Sequence, residues 1–249
     1  MRDRRRALTV ALLAAWALGA CRTAGPAAPV PAPSPSAARP SVGDPILWVR
    51  TSAEYRALAL QTYRAATRAL EELAGARGAG TWAVILDADE TVLDNSQHQK
   101  EQAALGRSFD AATWSAWVAR REAGAVPGAR AFLGRVRALG GRIAIVTNRT
   151  QAECDDTKAS FRALELPWDV MLCKTDRSEK EPRFDQVAKG AEGLPPLEVL
   201  LFVGDNIQDF PGLRQPLRHG PEDAFAEFGR RYFLLPNPMY GSWERNPPQ

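Results

Sequence analysis

Trp82-Ala83-Val84-Ile85-Leu86-Asp87-Ala88-Asp89-Glu90-Thr91-Val92-Leu93-Asp94-Asn95 is the stretch that decides the fold. Its first five residues form a continuous apolar run, as expected of a strand buried on both faces. The run stops at Asp87, and further carboxylates follow at Asp89, Glu90 and Asp94. A lone D-x-D-x-T is a weak signal because carboxylates are common in loops. Directly after a buried strand it is much stronger. An EF-hand loop competes for the same residues, but its sixth position would be Val92 instead of glycine, and a strand precedes it instead of a helix.

On either side of this stretch the pattern alternates. Ser52 to Ala74 is predicted as a helix, capped by Ser52, with Leu58, Leu70 and Leu73 as apolar positions and Gly75 near its stop. A helix from Gly128 to Leu139 ends at Gly140-Gly141, and Ile143 to Val146 is a second buried strand ending at Thr147. There follow a helix Gln151–Leu164, a strand Val170–Leu172, a helix Phe184–Gly190 and a strand Val199–Val203 ending at Gly204-Asp205. A helix Glu222–Phe228 and a last strand Tyr232–Leu235 complete the pattern. The alternation predicts an α/β fold with a doubly wound parallel sheet and helices on both faces. In such sheets the site lies at the carboxyl ends of the strands. Asp87, Thr147 and Asp205 are the polar residues that end them. Residues 95–126 break the alternation and read as a small inserted helical cap.

Composition agrees with one such domain. The chain has 249 residues, 45% hydrophobic and 24% charged, which argues against a wholly disordered, collagen-like or polytopic membrane protein. The net charge of +3 is local. Residues 1–20 contain Arg2, Arg4, Arg5 and Arg6 against Asp3; taking these from the totals of 32 and 29 leaves 28 of each sign. A neutral remainder gives no reason to expect a nucleic-acid polymer as partner.

The N-terminus reads as an address. A basic start is followed by an uncharged run from Ala7 to Gly19, about 13 residues, too short for a mature membrane span but suited to a signal segment. It leads into Leu18-Gly19-Ala20-Cys21, which resembles the bacterial lipobox. That resemblance implies cleavage after residue 20 and lipidation of Cys21; an ordinary secretory signal is the alternative. Residues 21–45 are rich in Pro and Ala, cannot build a core, and read as a tether. Arg22 in place of Asp leans the expected location toward the bacterial outer membrane, lipid-anchored and either periplasmic or surface-exposed. The folded part is expected at 46–249. Only Cys154 and Cys173 remain there, so no cysteine framework or cysteine-rich zinc site is expected.

Four motifs then stand in order: Asp87 to Asn95, Thr147-Asn148-Arg149, Lys180 within Ser178 to Arg183, and Gly204-Asp205-Asn206-Ile207-Gln208-Asp209. Together they resemble the haloacid dehalogenase superfamily. Asp94-Asn95, Gly204-Asp205-Asn206 with Asp209-Phe210, and the tail Leu235-Pro236-Asn237-Pro238-Met239-Tyr240-Gly241-Ser242-Trp243-Glu244 are similar to the class C acid phosphatases, the lipoprotein e-type 5'-nucleotidase family.

The chemistry agrees with that resemblance. A carboxylate attacking a phosphate monoester meets like charge, so a cation must lie between them. The resemblance implies Asp87 as nucleophile and Asp89 as acid and base. It implies Thr147 and Lys180 on the phosphoryl oxygens, with Lys174 as a rival to Lys180. Mg2+ fits an all-oxygen donor set: the side chains of Asp87 and Asp205, the backbone carbonyl of Asp89, and Asp209 behind them. For Asp209 a helix-capping role stands equally open. An Asp two residues after the nucleophile favours a phosphatase over a dehalogenase or an ion-pumping ATPase. The expected activity is a magnesium-dependent acid phosphatase acting on nucleoside 5'-monophosphates and aryl phosphates through a phosphoaspartyl intermediate. A catalytically silent substrate-binding lipoprotein and a phosphotransferase using the same site are the alternatives.

Substrate contacts are expected from Asn148 and Arg149, although Arg149 has the alternative of pairing with a carboxylate. Trp114 and Trp117 are three apart and share a face of the cap, either packing it or lining a pocket. Tyr240 and Trp243 follow the last strand, return toward the carboxyl edge, and either stack a nucleobase or pin the C-terminus. His98 and His219 read as surface or loop histidines. Cys154 and Cys173 both fall at the carboxyl edge of the sheet and are expected near one another, with pairing left open. Oligomeric state is not legible.

Overall fold

The structure is a computed structural model that describes residues 43–247; the signal segment, Cys21 and the tether up to residue 42 lie outside the described residues. Helix α1 (Asp44–Thr51) has Pro45 in its first turn, where a missing N–H costs nothing. It therefore begins inside the stretch expected as tether. Helix α2 (Ala53–Ala74) is capped by the Ser52 hydroxyl, which accepts the Tyr55 N–H at 3.0 Å. Its buried stripe is Tyr55, Ala59, Tyr63, Ala66, Leu70 and Ala74. Leu58 lies one position off that stripe and is exposed, contrary to its expected place in the core.

Strand β1 (Trp82–Leu86) is buried at all five positions. Trp82, Val84 and Leu86 point into one core, with Leu70, Phe132 and Phe161, and Ala83 and Ile85 into the other, with Phe184, Phe202 and Phe210. After β1 the chain makes a short ribbon, β2 (Leu93–Asp94), then α3 (Ser96–Ala104), α4 (Ala111–Arg120) and β3 (Gly124–Ala125), which pairs antiparallel with β2. The inserted segment thus closes on itself by a two-stranded neck. Beyond it come α5 (Ala129–Ala138), β4 (Arg142–Thr150), a 3-10 turn leading into α6 (Cys154–Ala163), β5 (Val170–Lys174), α7 (Glu181–Lys189), β6 (Glu198–Gly204) and β7 (Tyr232–Leu234).

The helix expected over 222–228 is a single 3-10 turn, Glu222–Phe225. Gly220 and Gly229 bracket only a few residues, and Phe228 turns onto Phe210 and Tyr232 while Phe225 stays exposed. So short a segment does not repay helix nucleation.

The main sheet runs β5-β4-β1-β6-β7, all parallel, with β1 at its centre. This is the doubly wound α/β architecture expected from the alternation. Strand β4 continues to Thr150, past the end expected at Thr147, but the register pairs Leu86 with Ile145 and Val203, so Thr147 and Asp205 stand level beside Asp87 at one edge. Cys154, opening α6, and Cys173, in β5, form a disulfide with Cα atoms 6.0 Å apart. Among the described residues no helix is long and apolar enough to cross a membrane.

Candidate active site

Asp87 leaves β1 with its N–H on the Val203 carbonyl (3.0 Å), so it is tied to the end of β6. The loop after it turns sharply at Glu90, whose φ of 56° is in the left-handed region that a residue with a side chain rarely adopts. The turn is held by Glu90 N–H to Leu93 O (2.7 Å) and by the buried Glu90 carboxyl accepting the Asn95 N–H (2.8 Å).

On the other side of β1, Gly204 ends β6 and Asp205 follows. Asn206 caps a 3-10 turn, and Asp209 reaches back to accept the Asn206 N–H at 2.9 Å. A Cβ at position 204 would come within 2.3 Å of the Asp209 side chain, so only glycine lets Asp209 fold in. One Asp209 oxygen closes the turn and the other accepts from the Lys180 ammonium at 2.7 Å.

Carboxylate oxygens of Asp87, Asp205 and Asp209 all lie within 4.8 Å of one another. Lys180, 4% exposed, enters this cluster from the start of α7, with Nζ 2.5 Å from Asp87 Oδ1 and 2.7 Å from Asp209 Oδ1. Between the two rival lysines, it is Lys180 that stands on the carboxylates. Burial works against its charged form, but Asp209 and Asp87 outweigh that and raise its pKa above the ordinary lysine value. Burial likewise pushes the Asp87 carboxyl up, to about 7, against the pull of Lys180.

Asp205 differs. Its side-chain partners among the described residues are neutral: Thr91 Oγ1 at 3.1 Å and Asn237 Nδ2 at 2.9 Å. Burial, then Asp209 and Asp87, raise its pKa well above the usual carboxylate range. Three clustered carboxylates, Asp209 buried and Asp87 and Asp205 partly so, face a single ammonium, and every donor is a hard oxygen. A small divalent cation fits that donor set in both charge and chemistry. Asp89 is not part of the cluster by its side chain, which turns instead to Arg149 and Asn95.

Several expected substrate contacts are differently employed. Arg149 is 2% exposed, and its guanidinium grips Asp89 (Nη2 to Oδ1 2.7 Å, Nε to Oδ1 2.9 Å) and packs over Trp114 at 5.5 Å. Of the two roles weighed for it, pairing with a carboxylate is the one found, because a buried guanidinium must spend its donors on an anion. Trp117 is buried and donates its Nε1–H to Asn95 Oδ1 at 2.8 Å, so of the two roles it packs the insertion. Trp114 is partly buried against His98 and Arg149. His98 is buried between the two tryptophans, and not at the surface as expected; His219 is exposed.

Thr147 is fully buried, its hydroxyl accepting the Arg149 N–H at 3.1 Å. Asn148 is exposed and accepts from Arg183 Nη2 at 2.6 Å; Arg183 also donates to the Thr147 carbonyl. The tail does return to this edge, through Asn237 on Asp205 and Ser242 Oγ on Asn206 Oδ1 (2.8 Å). Tyr240 is partly buried and Trp243 is 44% exposed. Asn95, Asn237, Thr91 and Arg183 were not identified as site residues from sequence. All four stand within the motifs, but a polar side chain carries no site signal until its partner is known.

A parallel sheet with a lysine-bridged carboxylate cluster at its carboxyl edge is the arrangement of an enzyme of the haloacid dehalogenase type. The family model described as HAD superfamily, subfamily IIIB (acid phosphatase) matches residues 16–243. The chain is also similar to the class C acid phosphatase from Bacillus anthracis, with 31% identity and a TM-score of 0.74 over 80% of this chain and 85% of that one. A tungstate-bound crystal structure of the Bacillus anthracis enzyme gives 30% identity and a TM-score of 0.73 over the same shares. The chain belongs to subfamily IIIB of the HAD superfamily, the acid phosphatases, and is a phosphoric monoester hydrolase.

Proposed function

We propose that this acid phosphatase is magnesium-dependent and hydrolyses nucleoside 5'-monophosphates and aryl phosphates through a phosphoaspartyl intermediate on Asp87. The observation that carries this reading is Lys180 bridging Asp87 and Asp209 beside Asp205. A partly buried carboxylate held by an ammonium at the tip of a central strand is oriented for attack.

Asp87, Asp205 and the Asp89 carbonyl would hold the Mg2+, with Asp209 behind them, and the ion would supply a Lewis acid for the phosphoryl oxygens and cancel repulsion between phosphate and nucleophile. An Asp87 oxygen attacks phosphorus as the bond to the ester oxygen breaks, and Asp89 gives its proton to that leaving oxygen. A water then attacks the phosphoaspartate, passes a proton to Asp89, and frees inorganic phosphate with Asp87 restored. Lys180 offsets the charge on Asp87 and on the phosphate, and Thr147 with the adjoining backbone N–H groups cradles the phosphoryl oxygens. The tungstate held by the Bacillus anthracis enzyme supports a site shaped for a tetrahedral oxyanion. Asn148, Trp114, Tyr240 and Trp243 remain proposed for the leaving group; Tyr240 and Trp243 are favoured by the tail's return to this edge. In the same reading residues 1–20 are removed and Cys21 carries the lipid that anchors the enzyme to the outer membrane.

Hydrolysis of p-nitrophenyl phosphate with EDTA, and again after adding Mg2+, tests the metal requirement. Rapid acid quench and mass analysis of the peptide containing Asp87 tests the intermediate. Full activity in EDTA, or a phosphoryl group trapped elsewhere, would overturn the respective part.

A further inference from the structure

Asn95 stands between the inserted segment and Asp89, and it is wholly buried. Its Oδ1 accepts from Trp117 Nε1 at 2.8 Å and from Arg149 Nη2 at 3.1 Å. Its Nδ2 donates to Asp89 Oδ1 at 2.8 Å. The logic of this chain is directional. An indole N–H and a guanidinium can only donate, so the amide must present its oxygen to them. That leaves its NH2 for the Asp89 carboxylate. Trp117 belongs to α4, within the insertion, and is itself 2% exposed. Arg149 is held by a second tryptophan of the same helix, Trp114. The insertion thus reaches Asp89 by two routes, a buried one through Asn95 and a partly buried one through Trp114 and Arg149.

We infer that Trp117 is a positioning residue for Asp89, acting through Asn95, so that helix α4 of the insertion sets the orientation of the carboxylate that transfers the proton. This rests on the reading of Asp89 as the acid and base. The consequence is specific to the leaving group. An alkoxide must be protonated as it departs, whereas p-nitrophenolate leaves unaided. A carboxylate held in the wrong orientation therefore hurts alkyl phosphates most.

The test is Trp117→Phe, which keeps an aromatic ring and deletes the N–H. The reading is kcat/KM, which reports only steps up to departure of the leaving group. For 2-phenylethyl phosphate it should fall about tenfold or more, and for p-nitrophenyl phosphate less than about twofold. Asn95→Ser should give the same imbalance and serves if Trp117→Phe does not fold. Asp89→Asn, run in parallel, should show the imbalance in larger form. Equal losses on both esters, or no loss, in a folded Trp117→Phe or Asn95→Ser protein would overturn the inference while Asp89→Asn still shows the imbalance. If Asp89→Asn shows none, the acid–base reading itself fails and the inference falls with it.

Discussion

Lys180 Nζ lies 2.5 Å from Asp87 Oδ1, although the two residues are 93 apart in the chain. The same ammonium serves Asp209 at 2.7 Å, so one buried cation joins loops from two strand ends. Lys180→Met keeps the length of the side chain and removes the charge. We expect kcat/KM to fall about 100-fold or more, roughly 3 kcal/mol of transition-state stabilisation. Losing one partner of a buried pair also costs roughly 3–5 kcal/mol of stability in the metal-free protein. Lys174→Met should leave both quantities near wild type. Kinetics and thermal melts of the two variants decide, and the reverse pattern would move the role to Lys174.

Asp87→Asn is nearly isosteric but cannot form the phosphoryl ester, so turnover should vanish while the circular dichroism spectrum is unchanged. Asp89→Asn should lose about 10²–10⁴-fold in kcat/KM on an alkyl phosphate through the missing proton transfer. Activity near wild type in Asp87→Asn would remove the phosphoaspartate mechanism, and in Asp89→Asn on an alkyl phosphate it would remove the acid–base role.

Asn237 donates to Asp205 Oδ2 at 2.9 Å from the tail beyond β7. A partner that orients a metal-ligating carboxylate typically affects metal affinity by about 10–100-fold. Asn237→Ala is therefore expected to raise the Mg2+ concentration needed for half-maximal activity at least about tenfold. An unchanged Mg2+ titration would show that Asp205 needs no help from the tail.

The Cys154–Cys173 disulfide closes a loop with a sequence separation of 19 and ties the start of α6 to β5. A loop of that size is worth about 3 kcal/mol. For a domain of about 200 residues this is a fall in Tm of roughly 6–12 °C. The double variant Cys154→Ser/Cys173→Ser should show that fall in differential scanning calorimetry, and dithiothreitol should have no further effect on it. An unchanged Tm would mean that the bond adds nothing to the folded state's advantage.

Tyr240 and Trp243 are expected to favour flat leaving groups, since stacking is worth about 1–3 kcal/mol per base and tolerates any base. Tyr240→Ala and Trp243→Ala should lower kcat/KM for a nucleoside monophosphate and leave glycerol phosphate largely unaffected. Equal losses on both, with a lower Tm, would make the two residues structural.

The sequence alone settled which residues reach the carboxyl edge. Strand β1 is an unbroken apolar run ending at Asp87, and β6 ends in the same way at Gly204-Asp205, so local pattern located both tips. The order of the motifs added Thr147 and Lys180 as candidates. The sequence could not decide which side chains those tips would meet. Arg149 and Asp89 are 60 residues apart, and Asn237 and Asp205 are 32 apart, yet each pair is in direct contact. Those meetings depend on how β4 and the tail lie against β1 and β6, and periodicity within any one segment carries no record of it. His98 shows the same limit. It stands in a polar helix that looks like surface, and only the packing of α4 across α3 buries it between Trp114 and Trp117. A strand announces itself through its own residues, because burial on two faces demands an apolar run. The partner of a polar group is chosen by distant chain brought close, so it was the tertiary structure that turned Arg149 toward Asp89, closed Asn95 onto Trp117 and joined Cys154 to Cys173.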